Sequence, residues 1–141
     1  MALAINVAEY FLNQYGAMSA WKLQKLAYYS QAWSLVWHDQ LLFNERIEAW
    51  ANGPVIRDLY SAHRGEFIVS TVRGDHTAVT PQEISVMNNI YNHYGPQTAA
   101  YLSQLTHLEQ PWIVARQGVP DGVRSTNEIT PASMHEYYSS L

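Results

Sequence analysis

Few side chains in this sequence combine the type and spacing that chemistry requires. His107 and Glu109, in THLEQPW, bring an imidazole and a carboxylate within two positions of each other, the usual acid, base and ligand groups. Two ligands separated by one residue at a helix end, without a third and fourth at a recognised spacing, make a weak metal signal. Such residues more often satisfy backbone groups left open where one helix breaks into the next. His135 and Glu136 would join them only if the terminal helix folds back. Ser30 and Ser34 precede His38, but the strand-turn-helix setting that makes a G-x-S-x-G serine reactive is absent. Neither G-x-G-x-x-G nor the P-loop pattern occurs, so no nucleotide cofactor has a motif behind it. The sequence thus offers no catalytic set, no metal site and no cofactor.

Lys22 and Lys25 are the other candidates, because of where they fall. The segment from Lys22 to Trp37, KLQKLAYYSQAWSLVW, reads as a helix after a Ser19 N-cap. On a wheel of 3.6 residues per turn, its apolar arc from Trp21 to Trp37 covers more than half the circumference, so this helix is expected to be the buried spine of the fold. Gln24, Gln31, Ser34 and His38 form the remaining polar strip, and both lysines fall inside the apolar arc. A cation near a helix N-terminus opposes the macrodipole by up to about 1 kcal/mol, and apolar surroundings disfavour its charge. Two accounts compensate: the lysines snorkel to water or meet a core-edge carboxylate such as Glu48 or Asp58, or they form the rim of a partner-binding surface.

Composition narrows the partners. Hydrophobic residues at 48% and aromatics at 13% exclude a disordered tail. Charged residues make up only 14%, against roughly 25% in ordinary globular domains, which leaves an unusually neutral surface suited to a protein partner. A net charge of −4 with eight scattered basic residues argues against non-specific nucleic-acid binding. With no cysteine there is neither a disulfide framework nor a thiolate zinc site. The N-terminus lacks the basic start of a signal peptide, and no stretch is long and apolar enough to span a membrane. A cytoplasmic protein of one domain, residues 1–141, is expected.

The elements that position these residues are mostly helical. Residues 4–15 place Ile5, Ala8, Phe11, Leu12 and Tyr15 on one face, ending at Gly16. Residues 41–50 read as a short extended stretch, and Asn52, Gly53 and Pro54 as a turn into a helix to about His63, with Pro54 at its first position. Residues 66–79, around Gly74 and Asp75, suggest a small β-hairpin. Thr80, Pro81 and Glu83 supply an N-cap, an N1 proline and a capping-box acid for a helix ending at Gly95. Pro96 is expected to begin a helix through Leu105, Pro111 a short one, and Thr130-Pro131 the last; residues 117–127 read as a surface loop. The expected fold is mainly α, a single compact helical domain around the aromatic-rich helix with one small β-hairpin.

The ordered motifs KLQKLAYYSQAW at 22–33, LLFNERIEAWANGPV at 41–55, LSQLTHLEQPW at 102–112 and STNEIT before a tyrosine-bearing helix resemble the Panacea domain, the SocA-like antitoxin family related to phage-associated GepA proteins. The resemblance spans nearly the whole chain. It implies a non-enzymatic helical antitoxin of a bacterial or prophage toxin-antitoxin pair, neutralising by direct binding a toxin encoded beside it. A role as an adaptor delivering that partner to a protease is the alternative; a phage or host regulator and a metal-assisted hydrolase rank below it. The resemblance supplies no DNA-binding domain for this chain, so transcriptional autoregulation by it alone is not expected. Partner-binding candidates are Lys22, Lys25, Tyr28, Arg57 and, in the expected hairpin, Arg73, Asp75 and His76. Trp33, Trp50, Gly53, Pro54, His107, Pro111 and Trp112 are expected to be structural, with Gly53 allowing close approach or positive φ.

Overall fold

The computed structural model describes residues 1–141. The order of elements is α1 (Ala4–Tyr15), β1 (Met18–Ser19), α2 (Ala20–His38), β2 (Ile47–Trp50), β3 (Gly53–Ile56), α3 (Arg57–His63), β4 (Ile68–Val69), α4 (Pro81–Tyr94), α5 (Ala99–His107), α6 (Gln110–Arg116), β5 (Glu128–Ile129) and α7 (Pro131–Ser139). The fold is mainly α, as the sequence predicts. Helix α2 runs through its centre, with α1, α4, α5 and α7 packed around it and β3 along one flank. Thirteen of its residues are buried, from Ala20 to Leu35, and these lie all round the helix.

Local chemistry explains most boundaries. The Ser19 side chain accepts the Lys22 N–H and starts α2. Thr80 and Glu83 form a reciprocal capping box on α4, with Pro81 in the first turn. Thr130 caps α7 by accepting from Ser133 N–H. Helix α5 departs from its expected start at Pro96: Thr98 caps it by accepting the Tyr101 N–H, and the helix begins at Ala99.

The hairpin is not where the sequence places it. β2 pairs antiparallel with β3 from Ile47↔Ile56 to Trp50↔Gly53, across a turn at Ala51–Asn52, and β5 adds to the other side of β2. Pro54 therefore lies in a strand rather than at the first position of a helix, which begins three residues later at Arg57. β3 is an edge strand, where a missing N–H breaks no ladder. Residues 66–79 form no hairpin; Ile68–Val69 pairs with Met18–Ser19 instead.

Residues 71–74 are held by α1. Glu9 accepts hydrogen bonds from the Thr71 hydroxyl at 2.9 Å and from the Val72 and Gly74 N–H groups at 2.9 and 3.4 Å. Gly74 lies so close to α1 that a Cβ there would fall 2.3 Å from the Ile5 carbonyl oxygen. A carboxylate that gathers backbone donors fixes this segment without strand pairing.

The polar strip of α2 lies mostly inside. Gln24, Gln31 and Ser34 are buried, and only His38 is exposed. Gln31 Oε1 accepts the Leu42 and Phe43 N–H groups at 2.7 and 3.3 Å, and its Nε2 donates to the Phe43 carbonyl at 2.7 Å. Gln24 does the same for Ile56, accepting its N–H at 2.8 Å and donating to its carbonyl at 3.2 Å. Ser34 donates to the Gln40 carbonyl. Gln31→Leu keeps the volume but orphans three buried backbone groups, and is expected to cost about 3 kcal/mol. Urea unfolding checks this as a lower midpoint with an unchanged slope.

Candidate partner-binding surface

The interior of the site is built on α2. Lys25 is fully buried, donates to the Pro54 carbonyl at 3.2 Å, and lies 5.5 Å from the Trp21 ring centroid. It neither snorkels to water nor meets a carboxylate. Glu48 instead binds Arg46, Arg57 and the Trp50 indole N–H. Burial pushes the Lys25 pKa down to about 7. Lys22, part-buried, turns to the Gly95 carbonyl at 2.6 Å. Gly53 has φ +123°, and a Cβ there would stand 2.7 Å from Lys25 Cε. A side chain at this position is strained by the positive φ and would have to push the end of the buried lysine aside.

One turn further along α2, Tyr28 and Tyr29 enter a tyrosine–carboxylate cluster. Glu109 is buried, and its Oε1 accepts from Tyr29 and Tyr138 hydroxyls at 2.7 and 2.8 Å. Tyr28 hydrogen-bonds to the Tyr138 hydroxyl at 3.0 Å, Tyr29 stacks on Tyr94 with centroids 4.0 Å apart, and Trp33 donates to the Tyr94 hydroxyl. Burial raises the Glu109 pKa, while the two tyrosine donors oppose that rise. Burial also raises the pKa values of Tyr28, Tyr29 and Tyr138. Glu109 thus binds phenols rather than the helix-break backbone that the sequence suggests.

His107 faces elsewhere, stacked on Trp112 at 4.0 Å between centroids. Burial is the main cause that lowers its pKa. No three His, Asp or Glu side chains converge anywhere in the structure, and His135 pairs with Asp39 at 2.9 Å rather than with His107 or Glu109. Pro111 is buried in the first turn of α6, and the Trp112 indole donates to the Trp50 carbonyl.

Of the sequence candidates, Lys25 and Tyr28 lie in the interior, and neither presents a surface to a partner in this fold. Arg57 is exposed on α3, 3.7 Å from Glu48. Arg73, Asp75 and His76 are exposed together on the loop that Glu9 holds. There the Asp75 carboxylate accepts from the Thr77 hydroxyl and N–H, which lowers its pKa.

Arg57 also lines a cleft of about 360 Å³ that the sequence does not anticipate. Trp21, Trp50 and Tyr60 bring aromatic surface to it, and Arg57, Arg64 and Arg124 bring charge. The Tyr60 ring stacks on Trp21 at 6.4 Å and meets Trp50 edge-on at 4.9 Å. Buried Arg116 donates to the carbonyls of Ala49, Pro120 and Val123, so the loop carrying Arg124 is anchored to β2. None of these three sequence regions signals the others; they meet only because the hairpin, α3 and the 117–127 loop converge.

A family profile described as "Antitoxin SocA-like, Panacea domain" matches residues 23–113, from α2 through the start of α6. The chain belongs to the SocA-like Panacea family. Comparison with curated proteins and with solved structures gives no match. The matched span holds Lys25, Glu109, the Gln24 and Gln31 contacts and the Trp50–Gly53 turn, while Tyr138 and Arg124 lie beyond it. No helix is long and apolar enough to cross a membrane.

Lys25 gives this Panacea chain a pH signature. Its folded pKa, about 7, lies below the ordinary lysine value of 10.5, so the unfolded chain binds more protons between those limits. Stability is expected to rise with pH from about 7 towards 10 through this group, above which the buried tyrosines favour the folded state less and less. Lys25→Met should remove the rise. Urea midpoints of both proteins at pH 6, 8 and 9.5 check it, and parallel curves would sink the assignment.

Proposed function

We propose that this chain is a non-enzymatic antitoxin of a bacterial or prophage toxin-antitoxin pair. Acting as one Panacea domain over residues 1–141, it neutralises a protein toxin encoded by an adjacent gene by binding it directly. The family match across residues 23–113 carries this reading. The low proportion of charged residues and the exposed Trp37, Tyr101 and Ile113 support a protein partner. His107 and Glu109, the pair that would have argued for hydrolysis, point to separate neighbours, an indole and two phenols. Neutralisation is stoichiometric: a folded face covers the toxin's active site or substrate entry.

Co-expression tests the proposal. The adjacent gene is induced in bacteria with and without this chain, colonies are counted, and the toxin is followed by immunoblot. Restored growth with the toxin retained supports neutralisation by binding. Restored growth with the toxin lost identifies delivery to a protease. Undiminished killing with both proteins present overturns the antitoxin reading.

A further inference from the structure

The cleft between the β2–β3 turn, α3 and the 124–126 loop gathers charge of one sign. Three of the chain's eight basic residues, Arg57, Arg64 and Arg124, line it, in a protein whose net charge is −4. Arg57 is partly answered by Glu48 at 3.7 Å, an oxygen that also accepts from the Trp50 indole at 2.8 Å. The guanidinium groups of Arg64 and Arg124 have no carboxylate within 4 Å, and neither donates a hydrogen bond within the chain. Trp21, Trp50 and Tyr60 add aromatic surface to the same cleft.

The walls are fixed before any partner arrives. Trp50 is held by its indole bond to Glu48 and by the Trp112 indole on its carbonyl. The third wall is tied down by Arg46, which donates to the Thr126 carbonyl at 2.8 Å, and by the Ser125 hydroxyl, which accepts the Asn127 N–H. Little ordering remains to oppose binding, apart from the arginine side chains themselves. Guanidinium groups match carboxylates in bidentate geometry, and aromatic surface in the same cleft suits an apolar side chain neighboured by acids. Elsewhere the chain is net acidic and repels an acidic segment, so the field directs such a segment to this cleft.

We infer that this cleft binds an acidic peptide segment of the partner protein, with an apolar side chain over Trp21, Trp50 and Tyr60 and carboxylates on Arg64 and Arg124. The identity of that partner as a polypeptide rests on the antitoxin reading; the cleft's preference for carboxylates does not. Of the partner-binding candidates read from the sequence, Arg57 alone lines it.

A fluorescein-labelled peptide of alternating glutamate and leucine around one tryptophan serves as the probe, titrated with the purified chain and followed by anisotropy. Binding should weaken as salt rises, and should fall at least tenfold in the Arg64→Glu/Arg124→Glu variant. The milder Arg64→Gln/Arg124→Gln variant should fall in between, with circular dichroism melts of both unchanged. Arg73→Glu, on the loop that Glu9 holds and outside the cleft lining, should bind as the wild type does. Absence of binding, equal binding by the charge-reversed variant, or equal loss in Arg73→Glu overturns the inference. So does displacement of the peptide by stoichiometric ATP, which would mark a phosphate site. In the co-expression assay, rescue by wild type that survives in the double variant removes the cleft from toxin binding while leaving the antitoxin reading intact. Failure of rescue by wild type sinks that reading, and the peptide titration still decides the cleft.

Discussion

A buried helix beside short, irregular strands meets one demand above all others: every backbone donor and acceptor it covers needs a partner. Helix α2 meets it with side chains. Gln24 and Gln31, two turns apart on the same face, each behave as a surrogate peptide group, accepting a backbone N–H and returning one to a carbonyl. Lys25 and Ser34 satisfy the Pro54 and Gln40 carbonyls. Strands of two to four residues cannot complete such a network alone. The helix supplies what a wider sheet would otherwise have supplied.

This arrangement explains what the sequence revealed and what it concealed. Elements set by local rules were legible: the Gly16 stop of α1, the Ser19 cap, the Thr80–Glu83 capping box and the Thr130-Pro131 start of α7 all operate within four residues. The burial of α2 was legible from its aromatic arc. The strip of Gln24, Gln31 and Ser34 was legible as polar but its role as a tether was not, because wheel position separates polar from apolar but not solvated from satisfied. A polar strip on a helix too apolar to be a surface was the available signal. Pro54 misled for a similar reason: its fixed φ suits a helix start and an edge strand equally. The cleft could not be read at all, since Trp21, Arg57 and Arg124 converge only in three dimensions.

Family likeness and partner recognition therefore occupy different layers. The motifs KLQKLAYYSQAW and THLEQPW map largely onto interior groups, among them Lys25, Tyr29, Glu109 and Trp112. The exposed cations, by contrast, sit on α3 and on loops. Two helices outside the matched span complete the interior: α1 packs on α2, and α7 contributes Tyr138 to the Glu109 cluster. His107 and Glu109, the pair whose types suggest chemistry, are engaged in packing, one on an indole and the other on two phenols.

The two glutamine contacts have a consequence for how freely this chain can change. A side-chain amide that grips main-chain atoms does not register which residue carries them. Leu42, Phe43 and Ile56 are held through groups common to nearly every amino acid, so drift along these segments is limited by volume in the core and not by loss of the tether. Only proline, which has no N–H to offer, is refused there. A scaffold fastened in this manner can alter its strands and the turn beyond them, and with them the shape it shows to others, without renegotiating its centre.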